Sequence, residues 1–441
     1  MRIPPVLFLP LLLLLSAPAF AADWPQWMGP DRDSVWREEG ILDRFPEEGL
    51  TVEWRVPVAY GYAGPAVDDG RVFLMDYVVE AGEIRNNTGA RDELEGTERV
   101  LCFDAESGEL LWKHEYARPY RVSFGGGPRC TPTVDGDRVY ALGAEGNLWC
   151  LDARTGRVVW SRDFVREYGA RTPLWGVSAH PLVDGDKVFC VVGGEGSVAV
   201  AFDKHTGREL WRSLSANQQG YCPPTMIEHA GMRQLVIWHG EAINGLNLES
   251  GEVYWSVPLR PSHGMAIAAP RKLGPYLFAS GYGRVGVLLK LSDTRPAVDI
   301  VWRGEPSNAV YSSNVTPFLL EGTIYGCDID TGTLMAVRMA DGERLWQTVT
   351  PTMGDGRRGR YGTAFIVRHE DRYFLFSETG ELILARLSPE GYEELDRTAV
   401  LEPTNDVFRR RVLWSHPAFA DRSIFARNDR ELVRMSLAAE E

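Results

Sequence analysis

The chain has 441 residues, of which 44% are hydrophobic, and a formal net charge of -14. This length exceeds the roughly 250 to 300 residues that one hydrophobic core usually serves, so it predicts several domains or one repeating architecture. The acidic balance repels phosphate backbones and anionic membrane surfaces, which excludes nucleic acid as a partner and favours a basic or polar ligand, or a cation.

The N-terminus has the pattern of a secretory signal peptide. Arg2 precedes the apolar run LFLPLLLLL, and residues 19–21, AFA, have the small-x-small form of a cleavage site. A membrane anchor is the alternative, but the run is short and interrupted by proline, and no cysteine follows it that could carry a lipid. We therefore expect a cleaved signal peptide over 1–21, an N-terminal arm over 22–49, no membrane span, and a periplasmic or secreted location.

A motif that ends in tryptophan recurs along the chain. Clear copies are FDAESGELLW, LDARTGRVVW, FDKHTGRELW, LNLESGEVYW and VRMADGERLW, and a weaker copy ends at Trp302. Successive copies are about 47 residues apart, which is a repeat period.

Each period contains short apolar runs separated by Asp-Gly or similar pairs, as in residues 131–160. Such pairs are typical of hairpin turns, because glycine, Asn and Asp adopt positive φ at low cost. No segment shows ten or more residues of helical periodicity. Four antiparallel strands in a unit of about 47 residues predict a β-propeller, whereas a series of sandwiches would need about 100 residues per unit.

The number of inner strands gives the number of blades. Their starts, mostly marked by proline, fall at residues 64, 131, 180, 223, 269, 316, 363 and 416. The last repeat lacks a fourth strand, and residues 50–58, LTVEWRVPV, offer one. We therefore predict an all-β fold over 50–441, an eight-bladed β-propeller of four-stranded antiparallel blades, with the ring closed by an N-terminal strand joining the last blade.

A polar insertion at about 78–98 lengthens the first repeat. Its charge-rich composition predicts a solvated loop, and a loop that covers the channel or binds a partner is the alternative.

The recurring tryptophans are predicted to seal the seams between blades rather than to stack on a ligand, because each lies on an outer strand. They are Trp54, Trp112, Trp160, Trp211, Trp255, Trp302 and Trp346.

Residues just before the inner strands are expected to face the axis of the propeller or its mouth, and several are not needed by the repeat. The candidate ligand-binding residues at this axial mouth are Arg129, Trp175, His180, Tyr221, His263, Asn314, Tyr361 and His416. Three of them are histidines from different blades, which could hold a metal or an anion if they met. The alternative is that each histidine bonds to its own loop, and we assign no metal ligand and no catalytic residue.

The copies LDARTGRVVW and FDKHTGRELW resemble the repeats of the pyrroloquinoline-quinone-like eight-bladed propellers, whose repeats end in Asp-x-x-Thr-Gly-x-x-x-Trp. DWPQWMGPDRD, residues 23–33, resembles the leader of exported bacterial members. The family includes quinoprotein alcohol and sugar dehydrogenases, which bind the quinone and a calcium ion on the axis. It also includes relatives without quinone, such as the scaffold of the outer-membrane assembly machinery.

The chain lacks two features of the dehydrogenases. It has no adjacent pair of cysteines, and no motif matches their calcium-binding and proton-abstracting Glu, Asn and Asp. The resemblance therefore implies an exported, monomeric binding or scaffold propeller that engages a protein partner or a small polar ligand at its axial pocket or loop face. A quinone-dependent alcohol or sugar dehydrogenase, with quinone and calcium as cofactors, is the alternative.

Two further patterns have structural interpretations. Six cysteines, at 102, 130, 150, 190, 222 and 327, would allow up to three disulfides in an oxidising compartment, with a connectivity that the sequence does not reveal.

Residues 281–286, GYGRVG, fit the GxGxxG pattern, but a strand-like run follows instead of a helix. They predict a hairpin turn and not a dinucleotide site.

Overall fold

The structure, a computed structural model, describes residues 23–354 and 358–439. The predicted signal peptide over 1–21 lies outside the described residues. Within the described ranges, no helix combines the length and hydropathy that crossing a membrane would require.

Eight antiparallel sheets of four strands each confirm the predicted eight-bladed propeller. The first strand of the chain, β1 (Val52–Pro57), belongs to the eighth blade. The next sixteen strands form blades one to four in chain order: β2 (Ala66–Asp68), β3 (Arg71–Ala81), β4 (Glu95–Asp104), β5 (Leu110–Ala117), β6 (Thr133–Asp135), β7 (Arg138–Leu142), β8 (Asn147–Asp152), β9 (Val158–Asp163), β10 (Leu182–Asp184), β11 (Lys187–Val191), β12 (Ala199–Asp203), β13 (Glu209–Ser213), β14 (Thr225–His229), β15 (Met232–Trp238), β16 (Ala242–Leu246) and β17 (Val253–Pro258).

The remaining strands complete the ring and add one hairpin outside it. Blades five to seven contain β18 (Arg271–Leu273), β19 (Tyr276–Gly281), β20 (Val285–Leu291), β21 (Val298–Arg303), β22 (Phe318–Leu320), β23 (Thr323–Cys327), β24 (Leu334–Arg338), β25 (Arg344–Thr348), β26 (Ala364–His369), β27 (Arg372–Ser377), β28 (Glu381–Leu387) and β29 (Tyr392–Ala399). The separate hairpin consists of β30 (Asn405–Val407) and β31 (Arg410–Val412), and β32 (Ala418–Ala420), β33 (Ser423–Arg427) and β34 (Glu431–Ser436) follow it. The sheet of the eighth blade has the order β1-β34-β33-β32.

Within residues 23–354 and 358–439, helix is confined to short connections. They are α1 (Phe164–Tyr168), α2 (Thr350–Met353) and one 3₁₀ turn (Ser262–Gly264). Residues 281–286 join β19 to β20 as a hairpin, as their sequence predicts.

The hydrophobic core lies between neighbouring blades. One cluster contains Tyr140 and Cys150 of blade two together with Val188 and Phe202 of blade three, and similar clusters fill the other seams. Burial of apolar side chains at each seam between two neighbouring blades therefore stabilises the ring. All six cysteines are buried in these regions as free thiols, so the structure contains none of the disulfides that the composition would allow.

Each seam tryptophan reaches from its outer strand onto the next blade. The indole nitrogen of Trp160 donates to the carbonyl of Lys204 at 2.9 Å. The same kind of bond is made across a seam by Trp54, Trp112, Trp211, Trp302 and Trp346. Trp255 packs against blade five but donates to Gln234 of its own blade, because the facing turn, SDTRP, lacks the motif.

The turn that each seam tryptophan contacts on the next blade shows why the motif contains Asp, Thr and Gly. The carboxylate of Asp203 accepts bonds from the amide and the hydroxyl of Thr206, both at 2.8 Å, which lower its pKa. Gly207 has a φ of +68°, and a Cβ at this position would lie 2.6 Å from Cδ2 of Trp160. The glycine is therefore needed both for the turn and for the approach of the indole ring.

The insertion of the first blade is partly strand and partly a loop whose residues are mostly exposed. β3 and β4 extend into it as a paired ladder as far as Ala81 and Glu95, so only residues 82–94 form the loop. Leu94 is buried, and the guanidinium of Arg91 bonds to the carbonyl of Thr172 at 2.9 Å. The loop thus folds back over the mouth of the channel.

The N-terminal arm enters the channel, which the sequence does not predict. The backbone of Trp24 pairs with Val67 of the first inner strand, and Val35 pairs with Arg368 near the far end of β26. Between these points the arm reaches the beginnings of the inner strands, and Trp27 and Trp36 are buried. The arm therefore fills the part of the channel that lies opposite the mouth.

Candidate functional site

A cavity of about 210 Å³ lies on the propeller axis between the arm and the mouth; we call it the axial cavity. Loops that lead into the inner strands form most of its wall, and the insertion contributes Thr88. Its lining residues are Trp27, Tyr62, Thr88, Phe124, Arg129, Trp175, Ser178, His180, Tyr221, Pro223, Met265, Ile267, Ala268, Ser313, Asn314, Thr316, Tyr361, Phe408, Trp414 and His416.

The structure brings seven of the eight candidate residues into this wall. They are Arg129, Trp175, His180, Tyr221, Asn314, Tyr361 and His416. His263 is absent from the wall, because it lies exposed on the 3₁₀ turn with its ring stacked on Tyr282 at 6.0 Å. A site shared by the three histidines is therefore not formed, and the described residues contain no cluster of three or more His, Cys, Asp or Glu able to hold a metal.

Trp27 of the arm forms the floor of the cavity. Its ring stacks on His180, with 4.8 Å between centroids, and its indole nitrogen donates to Nε2 of His416 at 3.2 Å. Below it, the buried guanidinium of Arg32 bonds to the carbonyl of Pro181 at 3.1 Å and lies 5.7 Å from the Trp27 ring. These contacts tie the arm to the segments that lead into the inner strands of blades three and eight.

The two histidines of the floor are neutral. Burial lowers the pKa of His416 to about 3 and that of His180 well below its ordinary value, with the charge of Arg32 adding to the effect at His180. Both ring nitrogens of His180 are buried and have no hydrogen-bond partner. An imidazole that aims unpaired nitrogens into a cavity can donate one bond to a bound molecule and accept another.

Among the described residues of the wall, Arg129 carries the one formally charged side chain. Its guanidinium bonds to backbone carbonyls, those of Ser123, Phe124 and Gly127, and lies 5.2 Å from the ring of Tyr62. None of the lining residues that the structure describes is acidic. The cavity therefore carries one positive charge within an acidic protein.

The hairpin of β30 and β31 forms one side of the mouth. The ring of Phe408 at its tip stacks on Tyr361, 5.2 Å between centroids and 6° from parallel. Trp414 follows the hairpin, and its indole donates to the buried carboxylate of Glu378 at 3.0 Å. Arg410 pairs with the same carboxylate at 2.7 Å, so the base of the hairpin is fixed while its aromatic tip faces the cavity.

Sequence reasoning missed the residues that the repeat does not contain. Trp27, Phe408 and Trp414 are aromatic residues outside the recurring motif, in segments assigned to an arm or to no element. Their position outside the repeat is a signal that could have identified them, since no seam requires them.

Residues 96–348 match the family described as outer membrane protein assembly factor BamB. The chain belongs to this family. A search of curated proteins finds no sequence match for this BamB-family chain.

Solved structures with the same propeller fold come from two functional groups. BamB from Moraxella catarrhalis is 16% identical with a TM-score of 0.57, over 89% of this chain and 99% of that chain. A europium-containing methanol dehydrogenase is 11% identical with a TM-score of 0.60, over 92% and 89%. A quinohemoprotein alcohol dehydrogenase from Comamonas testosteroni is 12% identical with a TM-score of 0.58, over 95% and 81%. At these identities the likeness to BamB and to the dehydrogenases shows the fold alone.

The axial cavity of this BamB-family chain does not fit the quinone and calcium of the dehydrogenases. Calcium takes six to eight oxygen ligands and usually several carboxylates, and the wall formed by residues 23–354 and 358–439 has no carboxylate. The quinone is a tricarboxylate, whereas Arg129 is the single cation in the described part of the wall. The donor set instead suits a small molecule with an apolar body and few polar groups.

Proposed function

We propose that this protein is an exported binding propeller, periplasmic or secreted, that holds a small ligand in its axial cavity. One observation carries the proposal: the cavity wall contains aromatic and polar residues that the repeat does not require, above a floor supplied by the chain's own arm. A propeller that served only as a spacer would not need an aromatic cavity with unpaired polar atoms.

The domain organisation is part of the proposal. A signal peptide over 1–21 directs export, the arm over 22–49 closes the channel, and the propeller over 50–441 carries the cavity. N-terminal sequencing of the exported protein should begin at Ala22, and a mature protein that retains residues 1–21 would contradict the export. Sedimentation should give a monomer.

Binding is tested with 2-naphthamide, an uncharged two-ring compound, by calorimetry and quenching of tryptophan fluorescence. We expect saturable binding with one site per chain, because Trp27, Trp175 and Trp414 line the cavity. Ser178→Phe fills the cavity and should abolish binding. Ser213→Phe, on the outer strand β13, is the matched control and should bind as the wild type does.

Loss of binding in both variants, or in neither, would contradict the assignment to the axial cavity. Equal unfolding midpoints for the two variants make a difference in binding interpretable, because both add the same side chain to a half-buried serine.

A protein partner on the loop face is the second candidate. Phe408 is 43% exposed at the mouth, and the exposed Arg409 and Arg411 follow it in a chain with a net charge of -14. An exposed aromatic beside arginines is typical of interface centres, and the family description names an assembly factor. A partner retained from envelope extract by the wild type, and lost with Phe408→Ala, would support this role. Equal retention by both proteins would remove the face from consideration.

A further inference from the structure

The charge of the axial cavity restricts its ligand, if the cavity binds one as proposed above. Arg129 faces the cavity with its guanidinium bonded to backbone carbonyls, and no wall residue that the structure describes supplies a counter-ion for its charge. The nearby Asp92 lies behind the wall and accepts from the amide of Gly125 at 3.1 Å. A bound anion would supply the missing counter-charge.

Five of the aromatic side chains of the wall lie in two groups. Trp175 and Tyr221 form one, 5.7 Å apart, and the stacked rings of Tyr361 and Phe408 form the other, with Trp414 6.3 Å from Tyr361. Ring faces and edges arranged in this way favour a flat conjugated body by stacking and edge-to-face contacts.

His180 gives an independent sign of a ligand. The residue is 7% exposed, lines the cavity, and has no partner for either ring nitrogen. Buried polar atoms usually have hydrogen-bond partners, so a bound molecule with a polar atom near the floor would satisfy this imidazole. The volume of about 210 Å³ also sets a size, since an apolar cavity of about 150 Å³ holds benzene.

We propose that the axial cavity takes a flat aromatic compound of about two rings with a single negative charge. The anionic group lies at Arg129, the conjugated body lies between the two aromatic groups, and a polar atom bonds to His180. Polycarboxylates and compounds without an aromatic ring are disfavoured.

The decisive comparison is 2-naphthoate against 2-naphthamide, which share their shape and differ in charge. By calorimetry at fixed salt, the carboxylate should bind about tenfold more tightly, because a charge-assisted bond replaces a neutral one. Cyclohexanecarboxylate and naphthalene-2,6-dicarboxylate should both bind more weakly than 2-naphthoate.

Variants of Arg129 test whether its charge causes the difference in affinity between the two compounds. Arg129→Met should bring the ratio of the two affinities close to one, and Arg129→Lys should retain part of it. Arg303→Met is the matched control, because this exposed arginine on β21 also bonds to a carbonyl, that of Pro258. The control should leave the ratio unchanged. If Arg129→Met fails to fold, weakening of 2-naphthoate but not of 2-naphthamide by added salt in the wild type tests the same charge.

Each outcome is distinct from a failure of the proposed function. Equal affinities of the wild type for the two compounds would overturn the monoanionic ligand while leaving an axial binding site. Tighter binding of the dicarboxylate or the cyclohexane compound would overturn the ligand class as well. Absence of binding for every compound would remove both proposals.

Discussion

At the scale of single residues, the turn glycine and the seam tryptophan form one unit. Gly207 satisfies two demands, a positive φ and a close approach of Trp160, whereas Gly185 has a φ of +57° with nothing within 4 Å of its missing Cβ. We expect Gly185→Ala to cost about 1 to 2 kcal/mol in free energy of unfolding, from backbone strain alone. Gly207→Ala should cost about 3 kcal/mol or more, because the added carbon also displaces the ring. Urea unfolding of the two variants measures the difference. Equal decreases in the free energy of unfolding would show that the indole ring can move to accommodate the added carbon without further destabilisation.

The floor histidines predict a loss of stability in acid. Burial lowers the pKa of His416 to about 3 from an ordinary value of 6.5, so the unfolded chain binds a proton in this range that the folded protein excludes. The free energy of unfolding is therefore complete above pH 6.5 and decreases as the pH falls towards 3, by about 2 kcal/mol for this residue at pH 5. Between pH 7.5 and pH 5, the free energy of unfolding of His416→Gln, measured with urea, should decrease by about 2 kcal/mol less than that of the wild type. The exposed His205→Gln is the control, and the same pH dependence in all three proteins would contradict the assignment.

The sequence predicts the seam residues and most of the cavity residues for the same reason. The repeat fixes the position of each inner strand, and the residues just before these strands, such as Arg129 and His416, must then face the axis. His263 lies six residues before the inner-strand start at 269, on the 3₁₀ turn, where it has a positive φ of 56° and is exposed. A local backbone conformation of that kind leaves no periodic signal.

At the scale of elements, the hairpin of β30 and β31 is strained at its tip. Phe408 and Arg409 both have positive φ, at 51° and 66°, in a two-residue turn where Asn-Gly is the favoured pair. The double variant Phe408→Asn/Arg409→Gly should therefore raise the free energy of unfolding by about 1 kcal/mol. It should also speed the dissociation of 2-naphthamide in stopped-flow fluorescence, because the ring that closes one side of the mouth is gone.

The turn between β32 and β33 provides the control for this variant. Asp421 and Arg422 also have positive φ, at 50° and 48°, and are not among the residues that line the cavity. Asp421→Asn/Arg422→Gly should stabilise the protein to a similar degree without changing the dissociation rate. An unchanged rate in both variants would show that Phe408 does not close the mouth.

The arm and this hairpin are the two elements that the sequence leaves undefined. Neither belongs to a repeat, and neither shows a period that could place it, so its position depends on contacts distant in the chain. Trp27 meets His180 and His416 only because the ring brings their blades together. The repeat period therefore predicts the blades of the ring well, but it does not predict the arm that fills the channel or the hairpin at the mouth.

At the scale of the whole molecule, the pairing of β1 with β34 joins the two ends of the chain, with Val56 opposite Leu432. A protein split after Val58 tests whether this pairing holds the ring together. We expect the segment 59–441 to associate or aggregate through its unpaired edge, and the segment 23–58 added in trans to restore a monomer with cooperative unfolding. The same segment with Trp54→Ala should bind at least about tenfold more weakly, because it loses the seam contact to Ala105. A segment 59–441 that is monomeric and equally stable alone would show that closure is dispensable.

The arm has a further consequence for the order in which the protein folds. Trp27 and His416 are hydrogen-bonded across a sequence separation of 389 residues. The arm precedes every blade in the chain, yet its binding place is complete only when the last blade has formed. Such a non-local contact is slow to form, so the arm is expected to dock in a late kinetic phase, after the blades have condensed. Until then the channel is open at both ends. The newly made chain therefore passes through a stage in which the loops of the blades surround the cavity but Trp27 does not yet close it.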